Sequence, residues 1–284
     1  MNDWELMLLE WYCEALFDAN GPAVLAPALD ARFAGWQLVG HVIGRDVLLP
    51  RKARMALAPR DLYYGLLLRS VAMPKQLLCL VRGTATFVEW IEDGEFLPMP
   101  HPIAGEVETG FYSAYHTLYF RALDGSIAPL VSALTAEARA ADGLMVVGHS
   151  LGAAMVTYLV TELADARRLG TRVRGRFIAS PRPGDRTFGK WAVGVMGVNW
   201  AGYAYEMDHV PRVPIFFNYA PLPGTEEILA ATAKARIAIN PRCSHHVVCY
   251  AALLGGQAAI SAAKAATAAE QQFLGCVLGA AVSP

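Results

Sequence analysis

Five residues, Gly148-His149-Ser150-Leu151-Gly152, stand between an apolar run, Leu144–Val147, and an Ala-rich run that begins at Ala153. The order predicts a strand, a sharp turn and a helix, with a serine at the apex. That serine would sit in a strained backbone conformation, and the glycines on either side let strand and helix pass closely because they lack a Cβ. G-x-S-x-G in this setting is the pattern of an exposed serine nucleophile.

The rest of the chain fits one large α/β unit. It has 284 residues and is 55% apolar, enough for a sizeable core. Strands are predicted at Trp36–Ile43, Asp61–Ser70, Leu77–Arg82, Leu144–Val147, Arg176–Ser180 and Trp200–Glu206, the second and third forming a hairpin. Helices are predicted at Trp4–Asp18, Thr86–Asp93, Thr109–Arg121, Ile127–Ala140, Leu151–Arg168, Thr225–Ile239 and Gly256–Gly275. Such alternation implies a mostly parallel central sheet with helices on both faces. Residues 1–284 read as a single domain, with 1–60 as an N-terminal helical and strand extension and 85–105 as a candidate covering region.

Charge and cysteine content narrow the classes. With 24 basic and 25 acidic residues the net charge is −1, so no basic face for nucleic acid is implied. Five scattered cysteines suggest no disulfide framework, although Cys243 and Cys249 are near enough in sequence to bridge. The start, Met1-Asn2-Asp3-Trp4-Glu5, lacks the positive region of a signal peptide, and no apolar stretch spans a bilayer convincingly. A cytoplasmic location is expected, with export by another route as the alternative.

A serine hydroxyl needs a histidine to take its proton and a carboxylate to orient that histidine. In this motif the order along the chain is Ser, acid, His. Two acids are candidates. Asp185 lies in a Pro/Gly loop and reads better as a helix N-cap. Asp208 lies at a strand end and is preferred. Beyond it His209 is adjacent to the acid and points elsewhere, which leaves His245 or His246 as the base. His149 neighbours the serine and is expected to pack beneath the turn. The oxyanion of an acyl-transfer intermediate would be held by the N–H of Leu151 and by Thr84, which follows the strand Leu77–Arg82. Cys243, His245, His246 and Cys249 are metal-ligand types, but their spacing matches no standard zinc pattern.

These pieces resemble the class 3 lipase family, the fungal triacylglycerol lipase type. Arg82-Gly83-Thr84 resembles its oxyanion loop, and Phe87–Asp93 its lid helix. Gly110-Phe111 through Tyr115 is similar to its G-F-x-x-x-Y helix start, and Ser180–Asp185 to its S-P-R-V-G-[ND] loop. Asp208–Pro214 is similar to its acid loop, and His245 through Tyr250 to its H-x4-Y ending. The pieces run from roughly Tyr63 to Leu254, and the last match favours His245 over His246. Many members carry a histidine where Glu108 stands here.

The resemblance implies an α/β-hydrolase fold with a short helical lid. It further implies a carboxylic-ester hydrolase using Ser150, Asp208 and His245, with no metal or organic cofactor. The lid and substrate residues would be Phe87, Trp90, Ile91 and Phe96, and the partner an ester or lipid at a lipid–water interface. A triacylglycerol lipase comes first; feruloyl esterase and phospholipase A1 are alternatives, and a non-catalytic binding protein on the same fold is the reading from another class.

Overall fold

The computed structural model describes residues 1–45, 60–83, 96–265 and 275–281. The strands are β1 (Trp36–Arg45), β2 (Asp61–Ser70), β3 (Gln76–Val81), β4 (Pro98–Pro100), β5 (Glu106–Glu108), β6 (Tyr119–Ala122), β7 (Ile127–Pro129) and β8 (Gly143–His149). They continue with β9 (Val173–Ile178), β10 (Gly184–Asp185), β11 (Trp200–Tyr205), β12 (Tyr219–Ala220), β13 (Glu226–Ile228), β14 (Ala235–Ile237) and β15 (Val277–Ala280). The α-helices are α1 (Asp3–Asn20), α2 (Thr109–His116), α3 (Leu130–Arg139), α4 (Leu151–Leu163), α5 (Arg186–Met196), α6 (Pro241–His245), α7 (Val247–Gly255) and α8 (Gln257–Lys264).

A nine-stranded sheet forms the centre, in the order β13-β11-β9-β8-β3-β2-β1-β6-β7. It is parallel from β13 to β3 and antiparallel from β3 to β7. The parallel half places the carboxyl ends of β3, β8 and β11 at one edge, where ligand chemistry gathers in open α/β sheets. A smaller sheet, β12-β10-β5-β4, and a hairpin, β14-β15, complete the strands.

Period-two alternation along β3 builds a core on each face of the sheet. Leu78 and Leu80 join α1, α7 and α8 on one side. Leu77, Cys79 and Val81 join α2, α3, α4 and α5 on the other.

Five predicted elements differ. The helix expected over Leu151–Arg168 stops at Leu163. The helix expected over Thr109–Arg121 stops at His116, because Tyr119–Ala122 pairs with β1 and β7 instead. The helix expected from Ile127 starts at Leu130, since Ile127–Pro129 pairs with β6. Thr225–Ile239 is not a helix: β13 takes the sheet edge beside β11, and β14 pairs with β15. Tertiary pairing overrides the helix preference of its alanines. The final Ala-rich helix begins further upstream, as α7, and breaks at Gly256, whose φ is +57°. The predicted helix Thr86–Asp93 lies outside the described residues.

Candidate active site

β8 ends in the turn that the G-x-S-x-G pattern predicts. Ser150 sits between β8 and α4 with φ 56° and ψ −128°, a conformation that L-residues rarely adopt. Its N–H is held by the Ile178 carbonyl of β9 at 2.9 Å. The flanking glycines are required by contact. A Cβ on Gly152 would lie 2.0 Å from the Val81 carbonyl oxygen, and one on Gly148 would lie 2.6 Å from the Gly152 carbonyl oxygen.

Three of the residues named from sequence meet here. Ser150 Oγ lies 2.8 Å from His245 Nε2, and His245 Nδ1 lies 2.9 Å from Asp208 Oδ2. Asp208 follows β11, and its other oxygen accepts the Val210 N–H at 2.9 Å, which fixes the carboxylate plane. The aspartate side chain is 1% exposed and that of His245 15%, so the acid is sealed while the base faces the cleft. His245 closes α6. His246 is turned away: its Nδ1 accepts the Val248 N–H at 3.2 Å, and burial lowers its pKa to about 3, which keeps it neutral. Asp185 caps α5 by accepting the Phe188 N–H at 2.7 Å.

Leu151 is the first residue of α4, where backbone N–H groups lack partners within the helix. Gly83 packs against the serine, so that a Cβ there would come within 2.9 Å of Ser150 Cβ. Thr84, Phe87, Trp90 and Ile91 lie outside the described residues. Phe96, expected with the lid, is instead a core residue, buried against Phe111 with ring centroids 6.3 Å apart. Glu108 caps α2 by accepting the Phe111 N–H at 2.7 Å.

The cysteines pair differently from the expectation. Cys243 is bonded to Cys276, not Cys249. Cys249 lies on α7 inside the core, whereas Cys276 precedes β15, which the hairpin with β14 brings to α6. The cluster of ligand-type residues is thus divided between a disulfide, the site and the core. Among the described residues, no group of three or more His, Cys, Asp and Glu is arranged to hold a metal ion, and no helix is long and apolar enough to cross a membrane.

Supporting residues also surround the site. Tyr250 is fully buried and donates to Asp208 Oδ2 at 2.8 Å, while accepting the Tyr205 N–H at 2.9 Å. Burial, then the Asp208 charge, push its phenol pKa well above the ordinary value, so it stays a donor. Arg82 is buried, with Nε on the Tyr63 carbonyl at 2.8 Å and Nη1 on the Gly83 carbonyl at 2.5 Å. Its guanidinium lies 3.5 Å from the centre of the Phe17 ring. Arg82 thereby fixes the backbone beside Ser150. His149 packs beneath the turn, between Glu14 and the His245 carbonyl.

Residues 78–218 match a family model described as lipase (class 3). Over that span, just under half of the chain, the sequence is similar to the class 3 lipase family. No curated protein matches the sequence. Among solved structures, the lipase from Rhizopus microsporus var. chinensis is similar at a TM-score of 0.55 and 21% identity, over 81% of this chain and 75% of that one. This likeness places the class 3 lipase segment within an α/β-hydrolase fold. Rhizomucor miehei triacylglyceride lipase matches at a TM-score of 0.48 and 24% identity, over 58% of this chain. Lipase II from Rhizopus niveus matches at 0.48 and 25%, over 60% of this chain. The chain spans 60% and 62% of the length of these two lipases.

Proposed function

We propose that the protein is a serine carboxylic-ester hydrolase, and a triacylglycerol lipase in particular. The observation that carries the reading is the hydrogen-bonded line Ser150 Oγ, His245 Nε2, His245 Nδ1, Asp208 Oδ2, with steps of 2.8 and 2.9 Å. In this mechanism Ser150 Oγ bonds to the ester carbonyl carbon while its proton passes to His245 Nε2. Asp208 holds Nδ1–H and stabilises the imidazolium. The carbonyl oxygen becomes an oxyanion, held by Leu151 N–H and, by resemblance, by Thr84. The C–O bond to the alcohol breaks as His245 returns the proton to it. Water then attacks the acyl-enzyme with His245 as base, and the acid leaves.

The lipid reading is supported by family and by surface. Ile215, Phe216 and Phe217 follow the acid loop in sequence and are 66%, 58% and 50% exposed. Adjacent exposed apolar residues mark an interaction surface. By resemblance the segment that carries Phe87, Trp90 and Ile91, which lies outside the described residues, is the proposed lid. The Cys243–Cys276 disulfide favours an oxidising compartment over the cytoplasm.

The test is a panel of short- and long-chain p-nitrophenyl esters, long-chain triglyceride, phospholipid and methyl ferulate, with Ser150→Ala as control. Triglyceride hydrolysis that is lost in the variant supports the lipase. Preference for phospholipid or ferulate moves the assignment within the family. Equal turnover by wild type and variant ends the hydrolase reading.

A further inference from the structure

The helix α1 lies outside the span that matches the lipase family, yet it reaches the site through the residue next to the nucleophile. His149 Nδ1 lies 2.7 Å from Glu14 Oε1, and Nε2 lies 2.8 Å from the backbone carbonyl of His245. That carbonyl ends the short helix α6, where the last carbonyls lack intrahelical donors. The His149 and His245 rings face each other with centroids 4.8 Å apart.

Both partners of the His149 ring are acceptors. A neutral imidazole carries one N–H and a backbone carbonyl carries none to give. Two protons are therefore needed on the His149–Glu14 pair to make both contacts, one toward the carboxylate and one toward His245. We infer that Glu14 and His149 form a positioning clasp, in which a carboxylate-paired imidazolium beneath the nucleophile fixes the backbone of the histidine base. The inference rests on the ester-hydrolase reading of Ser150 and His245.

The electrostatics agree in direction. Burial, the largest single influence, disfavours charge on both groups. For His149 the Glu14 carboxylate, the His245 carbonyl and Asp208 outweigh it and raise the pKa. For Glu14 the His149 pair, with His246 and Arg82 nearby, outweighs it and brings the pKa down to about 2. Glu14 has a second task. When His245 accepts the serine proton it becomes a cation beside His149, and an unneutralised His149 charge would oppose that step. The carboxylate cancels it. Glu14 and His149 are thus positioning residues: they touch no reacting atom and act through His245.

The experiment uses the full chain with 15N-labelled histidine. At about pH 8, above the ordinary imidazole value near 6.5, one histidine should show both ring nitrogens protonated. That signal should vanish in His149→Asn and in Glu14→Gln, and return in Glu14→Asp. With a p-nitrophenyl ester, Glu14→Gln should lower kcat by about tenfold to a hundredfold while KM changes by less than about twofold, and Glu14→Asp should recover much of the loss. If the wild type is active but no doubly protonated histidine is seen, or Glu14→Gln keeps full kcat, the clasp is overturned. A wild type inert on every ester overturns the hydrolase reading instead, and the NMR signal, which needs no substrate, still decides the protonation of His149.

Discussion

The Tyr250 hydroxyl donates to the same Asp208 oxygen that meets His245, at 2.8 Å, and so shares the load of keeping that carboxylate in place. It also satisfies the Tyr205 N–H at the end of β11. Tyr250→Phe removes a charge-assisted hydrogen bond and strands a buried donor. A loss of about 2 kcal/mol in stability is expected from denaturant melts. Steady-state assays should show kcat down by about tenfold with KM little changed.

Glu10 and Glu14 lie one turn apart on α1 and titrate in opposite directions. Burial, followed by the charge of Glu14, raises Glu10 well above its ordinary 4.5. Its folded state keeps the proton longer than the unfolded chain, so stability is lost as pH rises above about 4.5. Glu10→Gln should therefore raise Tm by a few degrees (roughly 3 °C) near neutral pH and change it little in acid. Glu14, depressed to about 2, contributes stability that is present above 4.5 and is lost as pH falls toward 2. Glu14→Gln should flatten that acid limb. Tm measured against pH for both variants checks the two signs.

The Cys243–Cys276 bond closes a separation of 33 residues and anchors α6, which carries His245. Reduction should cost about 3 kcal/mol and lower activity along with Tm. Thiol titration of the denatured, unreduced protein should find Cys13, Cys79 and Cys249 free. Five free thiols would contradict the bond.

Gly152 and Val81 touch across the turn, leaving no room for a methyl group: the carbonyl oxygen would lie 2.0 Å from an added Cβ. Gly152→Ala must push β3 and the Arg82–Gly83 backbone away from Ser150. A stability loss of about 3 kcal/mol is expected, and residual folded protein should be nearly inactive. Ala at Gly125, where a Cβ meets nothing within 4 Å but φ is +86°, should cost less and leave activity intact.

What the sequence made legible was local. Gly148–Gly152, the hairpin of Asp61–Ser70 with Leu77–Arg82, and helix α1 are each written in short-range pattern, and the order Ser150, Asp208, then His245 or His246 follows from strand ends and the motif. Adjacent histidines could not be parted by spacing alone, because only the α6–α7 junction decides which ring faces Ser150. The long-range choices were hidden. Thr225–Ile239 looks helical until β11 offers an edge, and Cys276 meets Cys243 only through the β14–β15 hairpin. Glu14 carried a faint signal, as an acid one turn after Glu10 and one turn before Asp18 on the same helix face, but nothing in α1 itself points to His149.

The central claim is that Ser150 is an activated nucleophile in a line with His245 and Asp208. Intact-mass analysis after treatment with a fluorophosphonate tests it without assuming a substrate. The wild type should gain one phosphonyl adduct, mapped to Ser150, and Ser150→Ala should gain none, while His245→Ala reacts slower by several powers of ten (about 10³ or more) and His246→Ala reacts near the wild-type rate. Equal labelling of wild type and Ser150→Ala, or loss of labelling in His246→Ala but not His245→Ala, would contradict the account.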